Sequence, residues 1–363
     1  MKESEELQAL LALQEFSGIG SILGQRLLAH FGSAQGVFHA KATELSQVQG
    51  VGPVLAKSLA GFRTWSKYDS VIKDALAHGY QIIPWNNSLY PTGLKEIPDA
   101  PLILFYDGQV PLPSRRWVGI VGTRKATPYG IQQTKAVVRA FKNTGATIVS
   151  GLAFGIDAAA HEEALQEGLP TIAVVAHGLH HLYPPEHLGL AQRIKQGGGI
   201  LSELLPSAGP ERAHFPMRNR LIAGLCDILV VVESASRGGA MITAKLARDY
   251  HRDVFAVPGR ITDPMSQGCL DLMADSIASV LWKPEQLPAE LGWDAVGRQE
   301  VLFGPTGELD VLIFQALKAQ SPMRTEELMH RIQRPWSELS AKITAMELEG
   351  WIQQHPGGAI SLT

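Results

Sequence analysis

The sequence predicts an α/β protein with a doubly wound, mostly parallel sheet at its centre. Between residues 117 and 257, short apolar runs alternate with amphipathic helical patterns. The apolar runs are continuous in valine, isoleucine and leucine, as in residues 228–232, and such runs are typical of parallel strands that are buried on both faces. Small-residue turns follow several of these runs, which is the pattern of repeated βαβ units.

Length and composition describe a multidomain globular protein. The 363 residues exceed one comfortable core, so we expect two or three domains. A charged content of 18% and a net charge of −3 exclude a polycation, so any nucleic-acid site must be a local patch. The two cysteines, Cys226 and Cys269, form no CxxC pair, which argues against a zinc or disulfide framework.

The N-terminus and the hydropathy predict a soluble, cytoplasmic protein. Residues 1–6 are acidic and lack the apolar core of a signal peptide. No apolar run approaches the roughly 20 residues that a membrane-spanning helix needs, so we expect no membrane partner.

Residues 1–65 are predicted to form a helical domain with an internal repeat. The segment FSGIGSILG at residues 16–24 recurs as VQGVGPVLA at residues 48–56, and each copy continues as a helix. The repeat resembles a pair of helix-hairpin-helix motifs, in which backbone N–H groups approach a DNA phosphate. Only Arg26 and Lys57 follow the hairpins as cations, so a structural or partner-docking role is an equal alternative to DNA binding.

Residues 117–157 have the pattern of a βαβ unit with two small-residue turns, each after a strand. Open α/β sheets bind ligands at these carboxyl ends, and N–H groups and a guanidinium suit phosphate. The predicted phosphate-binding residues of the two turns are Gly122, Thr123, Arg124, Lys125, Ser150, Gly151, Leu152, Ala153 and Gly155. The alternative is that the glycines only make tight turns.

Two later segments strengthen the anion-binding hypothesis. Arg218, Asn219 and Arg220 lie at a predicted helix start. Because the two arginines point about 200° apart on a helix, we expect one to meet phosphate and the other to pair within the fold. A third glycine-containing turn supplies the last predicted contacts, Arg237, Gly238 and Gly239.

Candidate catalytic and metal-binding groups are weak. The cluster His177, His180, His181 and His187 has no second set of ligands at convincing spacing, so we expect neither a metal nor a cofactor. Asp157 and His161 lie one helical turn apart, and we expect the aspartate to cap the helix and accept a hydrogen bond from the histidine. Without a triad or paired carboxylates, the sequence predicts no enzyme.

The C-terminal part is predicted to be a winged-helix domain at residues 305–363, preceded by a linker at residues 286–304. Three helical patterns precede two β-like segments around a turn at residues 356–358. The presumed third helix carries Lys342 as its only cation beside Glu338 and Glu347. We therefore favour a protein-interaction or accessory role over groove reading for this domain.

Together these motifs resemble the bacterial DNA-processing protein A family, DprA, also called Smf. The matching motifs occur in order: GTRK at residues 122–125, VSGLA at 149–153, GID at 155–157, His161, Tyr183-Pro184, FPMRNR at 215–220, VVE at 231–233, ITA at 242–244 and VFAVPG at 254–259. The flanking helix-hairpin-helix-like and winged-helix domains fit longer members of the family.

The resemblance implies an extended Rossmann-like domain at residues 66–285 that binds single-stranded DNA without sequence specificity. It also implies a homodimer that helps load the recombinase RecA during natural transformation. On that basis Arg124 and the glycine turns hold consecutive phosphates, and Arg218 or Arg220 supports them. The residues implied as structural supports are Asp157, His161 and Tyr183.

The alternatives are a nucleotide-processing enzyme and a nucleotide sensor. Phosphoribohydrolases of the same superfamily carry a Pro-Gly-Gly-x-Gly-Thr-x-x-Glu signature that supplies a catalytic glutamate. The nearest segment, RGGAMIT at residues 237–243, lacks the proline, the third glycine and the glutamate. DNA binding without catalysis is therefore the favoured hypothesis.

Overall fold

The computed structural model describes residues 2–110, 112, 116–293, 308–319, 322–348, 352–355 and 358–362. The chain forms two compact units that divide after residue 293. The first unit contains a helical N-terminal part and a nine-stranded sheet. The described helices of both units include none that is long and apolar enough to cross a membrane.

The N-terminal part packs directly on the sheet. Gly18 and Gly50 precede its second and fifth helices with φ of +86° and +98°, a region that glycine adopts without steric cost. Leu10 and Leu13 share one core cluster with Phe105 of the sheet. The domain boundary at residue 65 stays a prediction. The helices are α1 (Lys2–Gln14), α2 (Ser21–Phe31), α3 (Ala34–His39), α4 (Ala42–Leu45), α5 (Pro53–Ala60) and α6 (Ser66–Ala77).

The central sheet is mostly parallel, as predicted. Its strands are β1 (Gln81–Pro84), β2 (Ile103–Gly108), β3 (Trp117–Val121), β4 (Thr147–Ser150), β5 (Thr171–Val174), β6 (Gly198–Ser202), β7 (Ile228–Val231), β8 (Asp253–Ala256) and β9 (Ser279–Val280). The order is β1-β2-β6-β5-β4-β3-β7-β8-β9. The pairs from β6 to β9 are parallel, whereas β1 and β2 pair antiparallel with each other and β2 pairs antiparallel with β6.

Helices cover both faces of this sheet because successive side chains of each strand point to opposite faces. Val118 and Ile120 of β3 pack with α8 and α9, whereas Trp117 and Val121 pack with α11 and α12. The helices of this region are α7 (Thr92–Lys95), α8 (Pro128–Ala140), α9 (Ile156–Gln166), α10 (Leu188–Gly197), α11 (His214–Leu225), α12 (Gly239–Asp249), α13 (Gln267–Ala274) and α14 (Leu287–Glu290).

The strand order reverses at β3. The chain passes from β3 through α8 to β4 on one side, and it returns later as β7 on the other side of β3. The connections after β3 and β7 therefore leave in opposite directions, and a crevice opens at the carboxyl ends of these strands.

The predicted linker begins too early. Leu287 of α14 is 1% exposed, and it packs with Leu291 and Trp293 in the cluster that contains Phe141. Pro284 and Pro288 lie in the first turns of short helical segments, where proline is tolerated. The rest of the predicted linker, residues 294–304, lies outside the described residues.

The second unit has the elements of a winged helix. They are α15 (Glu308–Ala319), α16 (Thr325–Ile332), α17 (Trp336–Leu348), β10 (Met323–Arg324), β11 (Ile352–His355) and β12 (Ala359–Leu362). The sheet order is β10-β12-β11. Lys342 of α17 pairs with Asp310 at 2.9 Å, so its charge is already compensated. Residues 356 and 357 of the predicted turn lie outside the described residues.

Replacing Leu287 by alanine tests whether α14 belongs to the core. The variant should lose about 2–4 kcal/mol of unfolding free energy, because it leaves a cavity beside Phe141 and Trp293. Urea denaturation followed by circular dichroism measures this loss. Glu290 of the same helix is exposed, so the control variant Glu290→Ala should change the unfolding free energy by less than about 0.5 kcal/mol. Equal effects of the two variants would contradict this packing.

Candidate functional site

A cavity of about 340 Å³ opens where the strand order reverses. The turn after β3, the start of α11 and the turn into α12 form its wall. The predicted site residues that line it are Gly122, Thr123, Arg124, Ala153, Asp157, Arg218, Asn219, Gly238 and Gly239. Four segments that are distant in sequence are thus brought together, because Ala153 and Asp157 add the region between β4 and α9 to the other three.

The turn after β3 is held from both sides. The Thr123 N–H donates to the carbonyl of Glu233 at 2.7 Å, and the Thr123 carbonyl accepts from the Ile156 N–H at 3.2 Å. The Lys125 N–H donates to the Thr123 hydroxyl at 3.1 Å. This bracing fixes the backbone and leaves the side chains of Arg124 and Lys125 exposed.

Arg218 is built into the cavity wall. It is 6% exposed, and its Nη1 donates to the carbonyls of Gly151 at 2.6 Å and Val174 at 2.5 Å. A Cβ at residue 151 would overlap this guanidinium, so the close approach requires glycine. Burial lowers the pKa of Arg218 to about 10, although the Asp157 carboxylate opposes this shift. The guanidinium therefore stays protonated at neutral pH.

Asp157 is the acidic partner in this wall. Burial raises the pKa of Asp157, while the charge of Arg218 and the hydrogen bond from the Ala153 N–H lower it. Among the described residues that line the cavity, Asp157 is the only acid, whereas Arg124 and Arg218 are both cations. The cavity therefore favours an anion.

Two helices begin at the cavity. Phe215 and Pro216 in the first turn of α11 line it, as do Gly239 and Ala240 in the first turn of α12. The first N–H groups of a helix have no intrahelical partner, and the helix dipole favours negative charge there. Within the described part of the chain, no side chain caps either helix start, so both can receive an anion.

Aromatic rings adjoin the cationic wall. The Arg124 guanidinium lies over the Phe215 ring at 5.3 Å, and the Tyr183 ring meets Phe215 at 5.7 Å. Tyr183 and Phe154 are each 42% exposed, and Phe154 packs on His187 at 4.8 Å. Exposed rings beside guanidinium groups offer surfaces on which planar ligands stack.

Two protein-family models match most of this chain. A family model described as DNA recombination-mediator protein A matches residues 81–292, and a model described as the DprA winged helix domain matches residues 305–358. The chain belongs to the DprA/Smf family. The resemblance predicted from the sequence motifs, and the fold class with its winged-helix domain, are therefore confirmed.

Similar proteins cover the chain to different extents. Protein Smf from Synechocystis sp. is 32% identical over 389 residues, which cover 96% of this chain and 96% of that protein. DNA processing protein DprA from Bacillus subtilis is 39% identical over 62% of this chain and 76% of its own length.

Two solved structures resemble this DprA-family chain. DprA from Streptococcus pneumoniae has a TM-score of 0.67 at 32% identity, covering 78% of this chain and 97% of its own. DprA from Helicobacter pylori, whose structure was described for its single-stranded DNA binding mode, has a TM-score of 0.54 at 31% identity. That match covers 60% of this chain and 97% of its own.

Several predicted residues of this DprA-family protein lie behind the wall. The Ser150 hydroxyl donates to the Ile120 carbonyl at 2.6 Å. Leu152 is fully buried, and Gly155 has φ of +76° with Thr123 packed closely against it. Ser150, Leu152 and Gly155 of the second turn thus support the cavity wall from inside the protein and do not line the cavity. Lys125 and Arg237 are exposed and adjoin wall residues in sequence.

Arg220 points away from the cavity and pairs within the fold. Its guanidinium contacts the Glu203 carboxylate and donates to the Asp99 carbonyl at 2.7 Å. The opposite directions of Arg218 and Arg220 agree with their spacing on α11. The phosphate contact predicted for Arg220 is therefore replaced by an internal ion pair.

The prediction of a hydrogen bond from His161 to Asp157 is wrong. The His161 Nδ1 lies 2.7 Å from the Thr171 hydroxyl, which donates to the Ile148 carbonyl at 3.1 Å. Burial lowers the pKa of His161 to about 3, so it is neutral and links α9 to β5. Asp157 instead accepts from the Ala153 N–H at 3.3 Å.

Two residues outside the predicted site, Glu233 and Phe215, also shape it. Glu233 is 1% exposed, and its carboxylate accepts from the Thr127 N–H at 2.9 Å and the Thr127 hydroxyl at 2.5 Å. An acid directly after the apolar run 228–232 is the signal that could have found it. Phe215 opens the FPMRNR motif, but only folding places its ring under Arg124.

Arg220→Met should lower the unfolding free energy by about 3–5 kcal/mol, because it leaves the Glu203 carboxylate buried without its partner. Thermal or urea denaturation measures the loss. Adding Glu203→Met should recover most of it, since the double variant has no unpaired charge. Recovery by the second substitution separates ion pairing from simple loss of volume, and its failure would contradict the assigned role.

Proposed function

We propose that this protein binds single-stranded DNA without sequence specificity by holding backbone phosphates at the cavity beside β3 and β7. The observation that carries the proposal is the convergence of Arg124, Arg218 and two uncapped helix starts on one cavity within the described residues. Family membership supports it, as does the single-stranded DNA binding described for the related Helicobacter pylori protein.

The contacts divide into an inner and an outer set. Arg218 supplies fixed charge, because its guanidinium is already oriented by two carbonyls, whereas Arg124 is exposed and can grip a phosphate with two parallel hydrogen bonds. Lys125 and Arg237 extend the positive charge outward. The proposed inner contacts are Gly122, Thr123, Arg124, Ala153, Arg218, Asn219, Gly238 and Gly239.

Sequence tolerance follows from the types of contact. Phosphate contacts carry no base information, and every base can stack on an aromatic face. Phe215 and Tyr183 lie next to the cationic wall, so bases that flank a bound phosphate can stack there. Single strands of any base sequence can therefore be bound at this site.

The family's description as a recombination mediator supports a non-catalytic role in DNA processing during transformation. We infer that the protein acts in the cytoplasm as a homodimer and passes the bound strand to the recombinase RecA. The winged helix is proposed to contact protein, because Lys342 is paired with Asp310 and is the only cation of α17.

Arg124→Ala should weaken binding of fluorescent oligothymidylate and make its salt dependence shallower by about 0.7 in the log-log slope, since one phosphate contact is lost. Fluorescence anisotropy across a salt series measures both quantities. Arg248→Ala is the matched control, because Arg248 lies in the last turn of α12 and pairs with Asp249. Its binding should equal that of the wild type.

A mononucleotide ligand is the second candidate, because a volume of about 340 Å³ lies within the range of small-ligand sites. Adding AMP to the same titration distinguishes the two. Weak competition by AMP with tight strand binding supports the DNA proposal. Failure to bind the oligonucleotide, combined with saturable binding or hydrolysis of AMP, would replace it.

Phe215→Leu should weaken oligothymidylate binding by about 1–3 kcal/mol through the loss of stacking. The salt slope should stay at the wild-type value, because no phosphate contact is removed. The pair of variants thus separates stacking from charge. A shallower slope in Phe215→Leu would instead mean that Phe215 acts by positioning Arg124.

A further inference from the structure

A second polar cluster lies where α6 meets the segment that follows β5. Asp74 is on α6, His78 caps the end of that helix, and His180 belongs to the later segment. Among the described residues, these three form the one group of metal-ligating side chains whose ligand atoms all lie within 4.8 Å of one another. The group is not apparent in the sequence, because about 100 residues separate Asp74 and His78 from His180.

The histidines after β5 have different roles. His177 is buried, with its Nδ1 donating to the Gly178 carbonyl at 2.9 Å and its Nε2 accepting from the Tyr183 N–H at 3.2 Å. His181 contacts the Ser207 carbonyl, and His187 contacts the Leu152 carbonyl. His180 instead faces the Asp74 carboxylate, with Nε2 at 3.1 Å from Oδ2.

The geometry points to a divalent transition-metal site, with Zn²⁺ as the best match, formed by Asp74, His78 and His180. The Asp74 carboxylate lies near a nitrogen of each ring, since His78 Nδ1 is 3.3 Å from its Oδ1 and His180 Nε2 is 3.1 Å from its Oδ2. These separations are close to the edge of about 3.3 Å that zinc bonds of about 2.0–2.1 Å give a tetrahedron. Two imidazoles and one carboxylate leave a fourth position for water.

The surroundings hold the ligands in place. The Tyr80 ring stacks on His78 at 5.5 Å, and the Tyr80 hydroxyl donates to the Leu179 carbonyl at 3.2 Å. The backbone N–H of His180 donates to the Pro206 carbonyl at 3.0 Å. The two histidine rings are 4.6 Å apart, so small ring rotations bring both nitrogens to one ion. A metal on His78 Nδ1 replaces the proton that this nitrogen donates to the Asp74 carbonyl at 2.9 Å.

A bound ion would fasten the segment after β5 to α6. That segment continues from His180 to Tyr183, whose ring packs on Phe215 in the cavity wall. The metal would therefore stiffen one side of the cavity without contacting it. The metal site stands independently of the proposed DNA binding, because its ligands lie outside the cavity lining.

Calorimetric titration of the tag-free, chelator-treated full chain with Zn²⁺ tests the proposal. The wild type should bind one Zn²⁺ per chain, and its melting temperature should rise when Zn²⁺ is added. Asp74→Asn and His180→Ala should each lose both the binding and the rise. Co²⁺ should show the visible absorption of a tetrahedral site in the wild type and lose it in the two variants.

His251→Asn is the matched control, because His251 is an exposed histidine with φ of +59°, a conformation that asparagine tolerates. It should bind Zn²⁺ as the wild type does. The proposal is overturned if the wild type takes up no Zn²⁺, or if one-to-one binding persists in both ligand variants. Circular dichroism of the variants in the absence of metal shows that a loss of binding is not a loss of folding.

Discussion

The candidate site depends on one buried guanidinium. Arg218 extends from α11 to the carbonyl of Val174, the last residue of β5, and to that of Gly151, the residue that follows β4. A buried charge is tolerated only when it is paired and hydrogen-bonded, so these carbonyls and Asp157 fix where α11 begins. The position of Phe215, one helical turn earlier, follows from that attachment.

The turn after β3 is organised by a second buried charged group. Glu233 follows β7 and accepts two hydrogen bonds from Thr127 at the start of α8, while its own carbonyl holds Thr123. The ends of β3 and β7 are thereby joined across the crevice. The backbone that carries the exposed Arg124 side chain is therefore held from both strand ends.

The first unit extends this bracing in both directions along the chain. The N-terminal helices share a core with the sheet, and Arg220 joins α11 to Asp99 and Glu203. The Asp74, His78 and His180 cluster adds a contact between α6 and the segment that carries Tyr183. Polar contacts of this kind hold the elements around the cavity in place, which limits the conformational entropy that the protein itself would lose on binding a ligand there.

The sequence by itself determined the fold class and the positions of the turns. Continuous apolar runs are visible locally because parallel strands are buried on both faces, and the spacing of Arg218 and Arg220 already required opposite directions. The family motifs were also legible, since they are contiguous segments such as GTRK and FPMRNR.

Only the tertiary structure decided which side chains meet. The way in which the helices pack on the sheet sets three such pairs, which are Arg220 with Glu203, His161 with Thr171, and Arg124 with Phe215. The same holds for Leu287, whose burial places part of the predicted linker in the core. The physical reason is that burial and partner choice depend on contacts between residues distant in sequence, whereas periodicity and turn chemistry report only on neighbours.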